Sequence, residues 1–382
     1  MGEEAQPVFI EGKAKFQVGN AFYRRHSQTA RNLGVVAAAI YRQEVGRLRV
    51  LDAMAGSGVR SLRYFLESQA DWLWVNDSNP EVSAVLRHNL EGSIAPTQYQ
   101  LTFTDANRVF FECYQHQNFY DLIDVDAFGS PAPYISTSLW AVTIGGLLYL
   151  TSTDGRSATG STPDRTLATY GAYARSHPAG HEQGLRLLIG NVQQLAAAKG
   201  YGIEPVFSLF SGQAYRVMVR LVAQPNLDTN SSGFLGYCHD CGNYQTISWR
   251  KLGRVCCAYD GSALSISGAM WLGRLHNPDY LQCMIEQAIV WQWSDDIALL
   301  KLMQAEAELP PYFYKLGEIG RRGQLDIPKR SHLIQTLQDW GYQATATHIE
   351  AQAIKTTANL QTCIQAAQVG DRSDSIDPSS QA

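Results

Sequence analysis

The stretch RVLDAMAGSGVRSLRYF, residues 49–65, reads as a strand, a tight turn and a helix. Val50 and Leu51 form an apolar strand end closed by Asp52. Gly56 and Gly58 let the backbone turn sharply and approach a ligand, and a helix opens at Val59-Arg60. The pattern is not the G-x-G-x-x-G of dinucleotide folds, because Arg60 and Ser61 stand where the third glycine is needed. Moving outward, Trp72-Leu-Trp-Val-Asn-Asp77 is a second strand ending in a carboxylate. Asp77 lies 25 residues after Asp52, the distance at which a nucleotide-binding β-α-β unit sets an acid on ribose hydroxyls. A third acid, Asp105 in Thr104-Asp-Ala106, follows the strand-like Tyr99–Phe103, where a carboxylate and the Ala106 amide can read an adenine edge. The apolar run Leu122-Ile-Asp-Val125 ends at Asp126, a fourth acid at a strand end.

An acid before a G-x-G turn is the habit of folds that bind S-adenosylmethionine, and four acidic strand ends within 75 residues point the same way. Asp126 also opens Asp126-Ala-Phe-Gly-Ser-Pro-Ala-Pro133, which sets an acceptor and the flat ring of Phe128 at a pocket mouth. Methylation of an exocyclic amino group of a base needs that pair. The amino lone pair is delocalised into the ring until an acceptor orients its hydrogens, and a stacked aromatic excludes water. An isolated turn of this kind would serve equally to cap the next helix; the upstream acids favour the chemical reading.

In this order the elements resemble the tRNA (guanine-26-N2)-dimethyltransferase family from about residue 8 to 358. Glu11-Gly-Lys-Ala-Lys-Phe16 is similar to the family's opening, and Ala30-Arg31-Asn32-Leu33 stands where it has Asn-Arg-Asp-Leu. Gly58-Val-Arg60 resembles its Gly-Ile-Arg, Gly268-Ala-Met-Trp-Leu-Gly273 its Gly-Pro-Leu-Trp-Leu-Gly, and Ala353-Ile-Lys355-Thr-Thr-Ala358 its Gly-Ile-Lys-Thr-Asp-Ala. The resemblance implies donor binding by Arg31, Asp52, Gly56, Gly58, Arg60, Asp77, Asp105 and Ala106, with Asp126 and Phe128 catalytic. It implies methyl transfer from S-adenosylmethionine to guanine N2, and tRNA as partner. Ala127 replaces the signature proline, which is expected to loosen the loop holding Phe128. Asn32 replaces an acid expected to orient Arg31. An adenine-N6 methyltransferase and a catalytically silent RNA-binding module share parts of this pattern, but retention of all four acids speaks against silence.

Composition sets the outer limits. The 382 residues are 45% hydrophobic and 17% charged, with net charge −4, which describes a soluble chain long enough for two cores. No basic and apolar leader is read, and the longest apolar run, Leu139–Leu150, contains two glycines and is too short for a bilayer. Seven cysteines, with an adjacent pair at 256 and 257, fit a reducing compartment, so a cytoplasmic monomer without a membrane is expected. An acidic total disfavours RNA, but basic side chains gather locally. Arg24, Arg25 and His26 lie near the donor site, and Lys315, Arg321, Arg322, Lys329 and Arg330 form a stripe. Arg321, Arg322, Lys329, Arg330 and Lys355 are the expected tRNA contacts.

Strand-like runs at 48–52, 72–76, 99–103, 120–126, 146–152, 204–210 and 215–223 alternate with helical stretches at 59–68, 79–91, 134–144 and 181–199. The alternation predicts an α/β, doubly wound sheet with a parallel core, and the short Ser211–Ala214 connection an antiparallel last strand; this closing hairpin resembles the Rossmann-like sheet of class I methyltransferases. Residues 153–180 read as a substrate-facing loop or, equally, a mobile surface loop, and 224–233 as a linker. The expected domains are 1–225 for methyl transfer, a smaller α+β tRNA-binding domain at 226–366, and a disordered tail at 367–382. Within the second, a helix at 279–307 precedes a winged-helix-like part with a helix from Ser331 to Trp340.

Cys238-His-Asp-Cys241 followed by Cys257-Ala-Tyr-Asp260 has the spacing of a structural zinc site, with Asp260 where the resemblance places a fourth cysteine. Either Cys238, Cys241, Cys257 and Asp260 hold zinc, with His239 or Cys256 able to substitute, or the site has decayed and its cysteines pack as small apolar residues.

Overall fold

Five parallel strands, all but the edge one buried, form the centre of the computed structural model, which describes residues 7–229 and 231–374. A hairpin of β1 (Val8–Glu11) and β2 (Ala14–Gln17) leads into α1 (Gln28–Val45). There follow β3 (Arg49–Asp52), α2 (Val59–Leu66), β4 (Trp72–Asn76), α3 (Ser83–Glu91), β5 (Tyr99–Thr102), α4 (Ala106–Gln115) and β6 (Tyr120–Asp126). Next come α5 (Ala132–Ser138), β7 (Val142–Ser152), α6 (Gly155–Ala158), α7 (Pro163–Tyr170), α8 (Gly180–Ala197), β8 (Gly202–Ser211) and β9 (Ala214–Val222).

The seven-stranded sheet has the order β5-β4-β3-β6-β7-β9-β8, with β9 antiparallel to both neighbours. Strands covered on both faces read as continuous apolar runs, and Val50, Leu51, Leu73, Val75, Leu122, Ile123, Val125 and Leu147–Leu150 are buried accordingly. The strand order reverses direction at β3, so the crevice beyond the ends of β3, β4 and β6 is the switch point where open α/β sheets bind ligands.

The helix expected at 134–144 ends at Ser138. Thr137 and Ser138 turn their hydroxyls back onto the carbonyls of Tyr134 and Ile135, and the β-branched Val142-Thr-Ile144 starts β7. Neither the β1–β2 hairpin nor α1 and α4 stood out in the apolar pattern.

The described residues fall into two compact units: one holds the chain up to Asp154 with 192–226 and 279–300, the other 155–191, 227–278 and the chain from Lys301 on. The single boundary expected near 225 is thus one passage among several. The stretch 153–180 is not a plain loop: it contains α6 and α7, and Tyr173 exchanges two backbone hydrogen bonds with Gly268.

The second unit has two antiparallel three-stranded sheets. One is β11-β10-β12, from β10 (Ser232–Tyr237), β11 (Tyr244–Ile247) and β12 (Ser265–Trp271). The span expected as one helix at 279–307, of which 279–300 belong to the first unit, is two, α9 (Pro278–Val290) and α10 (Ser294–Glu306), separated where Gln292 takes a left-handed φ of 61° between two packed tryptophans. The other sheet, β13-β15-β14, combines β13 (Tyr314–Lys315), β14 (Ala344–Ala346) and β15 (Ala353–Thr356). With α11 (Leu316–Gly323) and α12 (Arg330–Asp339) it makes the helix-helix-hairpin sequence of a winged helix. Residues 367–374 of the expected tail belong to α13 (Leu360–Asp374), anchored by buried Cys363, Ala366 and Ala367; 375–382 lie outside the described residues.

Candidate active site and cysteine cluster

Asp126 ends β6 with its side chain 36% exposed, and Arg60 of α2 lies behind it, Nη2 3.0 Å from Oδ2 in an ion pair. Register across the sheet aligns Asp126 with Thr151 of β7 and Thr151 with Arg216 of β9, so a second guanidinium shares this row. Burial pushes the Asp126 carboxyl up, but Arg60 and Arg216 outweigh it and hold it below the usual carboxylate range. Asp126 is therefore a standing anion and a weak base. Beside it Phe128 is 88% exposed, a large ring held in water by its loop. Despite Ala127 in place of proline, that loop is closed by a reciprocal pair: Gly129 N–H donates to Thr153 Oγ1 at 2.9 Å, and Thr153 N–H to the Gly129 carbonyl at 2.7 Å.

The donor-side residues gather at the neighbouring strand ends. Gly56 and Gly58 have φ of 55° and 78°, which the turn before α2 requires. The Gly56 N–H donates to Asp77 Oδ2 at 2.8 Å, and the Asn79 N–H to Asp77 Oδ1 at 2.8 Å, so Asp77 also shapes the glycine turn. Asp105 is exposed and caps α4 by accepting from the Asn107 N–H, with Ala106 buried behind it. Asp52 is buried and accepts from Ser61 Oγ at 2.6 Å, while its Oδ1 has no hydrogen-bond partner among the described residues.

Two expected donor contacts have other partners. Arg60 is buried between Asp124 and Asp126, so it serves the carboxylates rather than presenting itself to a ligand. Arg31 is oriented not from position 32 but by Glu11 of β1, which accepts from its Nε at 2.7 Å and its Nη2 at 2.5 Å. Asn32 instead accepts from Arg63 at 2.7 Å and donates to Asp296 at 2.6 Å. Glu11 was not singled out as a site residue in the sequence, since nothing at the end of β1 names a partner 20 positions on. Phe22 was missed too. Its ring is 64% exposed under the Arg24 guanidinium, and its carbonyl lies 3.4 Å from where a Gly56 Cβ would sit.

In the second unit, Cys238, Cys241, Cys257 and Asp260 bring their ligand atoms within 4.8 Å of one another. Two matched turns do this. Cys238 N–H bonds the Asn243 carbonyl and Gly242 N–H the Cys238 carbonyl; Cys257 N–H bonds the Ser262 carbonyl and Gly261 N–H the Cys257 carbonyl. The glycine after each pair has φ near 80°, 81° and 76°. Asp260 thus occupies in the second turn the place of Cys241 in the first. The 3.4 Å Cys241–Cys257 and 3.3 Å Cys238–Asp260 separations approach the edge of a zinc tetrahedron, about 3.7 Å for Zn–S bonds of about 2.3 Å. Amide donors from Cys241 and Asn243 already point at sulfur, each at 3.4 Å. The residues fit zinc. A buried trio in the same unit, His276, Glu306 and His348, is closed by the His348–Glu306 hydrogen bond and the charge of Lys355.

Of the expected tRNA contacts, Lys355 is not placed to meet a phosphate: it is 2% exposed and donates to Glu182 Oε1 at 2.7 Å. Arg322 is spent on the first cysteine turn, donating to the Asp240 and His239 carbonyls. Arg330 donates to the Ala351 carbonyl. Arg321 is 63% exposed, paired with Glu318 of its own helix.

Comparison with known proteins agrees with this geometry. The model of the family described as N2,N2-dimethylguanosine tRNA methyltransferase matches residues 5–368. The chain is 27% identical over 377 residues to a tRNA (guanine(26)-N(2))-dimethyltransferase of Pyrococcus abyssi, covering 91% of this chain and 95% of that one. It is 28% identical over 358 residues to its namesake in Saccharolobus solfataricus, covering 91% and 90%. The solved structure of Trm1 from Pyrococcus horikoshii with S-adenosyl-L-methionine superposes with a TM-score of 0.83 at 26% identity, covering 94% of this chain and 99% of that chain. The chain belongs to the N2,N2-dimethylguanosine tRNA methyltransferase family.

Proposed function

We propose that the chain methylates the exocyclic N2 of a guanine in tRNA, at position 26 as in the relatives' names, with S-adenosylmethionine as donor. The observation that carries this is Asp126: an anion held by two guanidiniums, facing solvent at a strand end beside an exposed ring. The donor supplies an electrophilic methyl on sulfonium, and the residues that would hold it are Arg31, Asp52, Gly56, Gly58, Asp77, Asp105 and Ala106. The half-buried and exposed acids at the ends of β4 and β5, the glycine turn and the unpartnered Asp52 oxygen fit such a polar ligand.

The guanine leaves its stack at a cost of a few kcal/mol, and Phe128 receives its face. Asp126 accepts a hydrogen from N2, which frees the lone pair for in-line attack, and positioning supplies most of the acceleration. As N2 gains carbon it sheds a proton along that hydrogen bond. Because Asp126 is held below the usual range, the proton passes on to water and the carboxylate is anionic for a second round. One Zn²⁺ on Cys238, Cys241, Cys257 and Asp260 would brace the second unit. Arg321 and Lys329 remain the stripe residues proposed to meet phosphate, and the chain is taken to act as a cytoplasmic monomer.

Nucleoside analysis of tRNA incubated with protein and donor tests the reading. N2-methylated guanosine from a tRNA with guanine at position 26, and none when adenine replaces it, is the expected result. Methyladenosine, or no transfer, would refute it. Elemental analysis should find about one zinc per chain, lost in Cys238→Ser with thermal stability but not donor binding; a metal-free, stable protein favours the decayed site.

A further inference from the structure

Asp124 takes no part in the mechanism above, yet it lies at its centre. Side chains alternate along a strand, so Asp124 and Asp126 of β6 share one face. Register sets Asp124 opposite Asp52 of β3 and Tyr149 of β7. Asp124 is fully buried, and its Oδ2 accepts from Arg60 Nη1 at 2.8 Å and from Tyr64 Oη at 2.7 Å. Its Oδ1 has no hydrogen-bond partner among the described residues. One guanidinium therefore spans two carboxylates, a sealed one and a solvent-facing one, while seated 5.3 Å over the Tyr149 ring.

We propose, on the reading of Asp126 given above, that Asp124 is a positioning residue for methyl transfer, clamping Arg60 in the orientation that keeps Asp126 charged and aimed at the base. The groups facing this centre are Asp52 from β3, Arg60 and Tyr64 from α2, Asp126 from β6, Tyr149 from β7 and Arg216 from β9. Buried like charges cannot all ionise at no cost. Burial first, then the neighbouring carboxylates, push Asp52 and Asp124 up, whereas Asp126 is held down. The cost of negative charge thus falls hardest on the inner pair and least on the one member that reaches solvent.

The test is a double-mutant cycle read in kcat across pH, with donor affinity and tRNA KM measured beside it. Asp124→Asn should lower kcat at least about tenfold, with both affinities within about threefold. Arg60→Met should do the same, and the double variant should be no worse than the more severe single, because one residue acts through the other. In Arg60→Met the acid limb of kcat should move to higher pH, since Asp126 loses its cation. Additive losses, an unmoved limb or an intact kcat would overturn the proposal. Should Asp124→Asn not fold, Tyr64→Phe removes one bond to Asp124 without changing charge, and should lower kcat severalfold in the same direction; unchanged kcat there also overturns it. The wild-type product separates the claims: N2-methylguanosine with an Asp124→Asn variant of full kcat defeats only the clamp, whereas no N2-methylguanosine defeats the reading beneath it.

Discussion

Each unit buries a string of charges, and the two strings end differently. In the second, Glu182 Oε1 accepts from Arg186 at 2.8 Å and Lys355 at 2.7 Å, and Arg186 continues to the Gly273 carbonyl at 2.8 Å; all three residues are out of water. In the first, Asp124 and Arg60 are equally sealed, but the string runs on to Asp126, which is 36% exposed. The same physics has two products. A string closed at both ends resists rearrangement and holds its unit together. A string left open at one carboxylate keeps that carboxylate ionised where a ligand can reach it.

Breaking the closed string should have the largest effect on stability. Lys355→Met leaves Glu182 one cation short in a dry interior, and should cost about 3–5 kcal/mol in chemical denaturation without altering donor affinity. A loss under about 1 kcal/mol, the range of exposed pairs, would remove the contrast. At the open end, Phe128→Ala takes away the ring against which the base stacks. It should lower kcat/KM for tRNA by roughly 1–3 kcal/mol while leaving the fold unchanged; normal kcat/KM would show that the exposed ring is idle. The smallest effect is expected at Asp77, which shapes the glycine turn and offers charge-assisted contacts to the donor. Asp77→Ala should weaken S-adenosylmethionine binding at least about tenfold, or 1.4 kcal/mol, by calorimetry. Unchanged affinity would detach β4 from the donor site.

The contrast also marks what sequence could show. Strand ends with acids, the glycine turn and the Asp126–Phe128 signature are local patterns, and the sheet and the mouth of the site followed from them. Arg60 was legible as a residue but not as a role, because its partner Asp124 is 64 positions away and nothing in Gly58-Val-Arg60 tells which way the guanidinium points. Arg216 joins the site only through strand register, two strands over from Asp126. Lys355 read as a phosphate contact because a lysine in a motif looks exposed; its burial depends on Glu182, 173 residues earlier. The missed break at Gln292 has a similar cause, since apolar periodicity continues through the two tryptophans while the backbone turns.

The central claim is that Asp126 faces the base and not the donor. It is tested most directly by measuring methyl transfer to tRNA and S-adenosylmethionine affinity on the same preparations of wild type, Asp126→Asn and Asp126→Ala. Transfer should fall by about 10²–10⁴-fold in Asp126→Ala, and severely in Asp126→Asn, whose amide accepts a hydrogen bond but carries no charge. Donor affinity should stay within about threefold in both, on the scale where tenfold is 1.4 kcal/mol. Full transfer in either variant, or donor affinity that falls in step with transfer, would contradict the account.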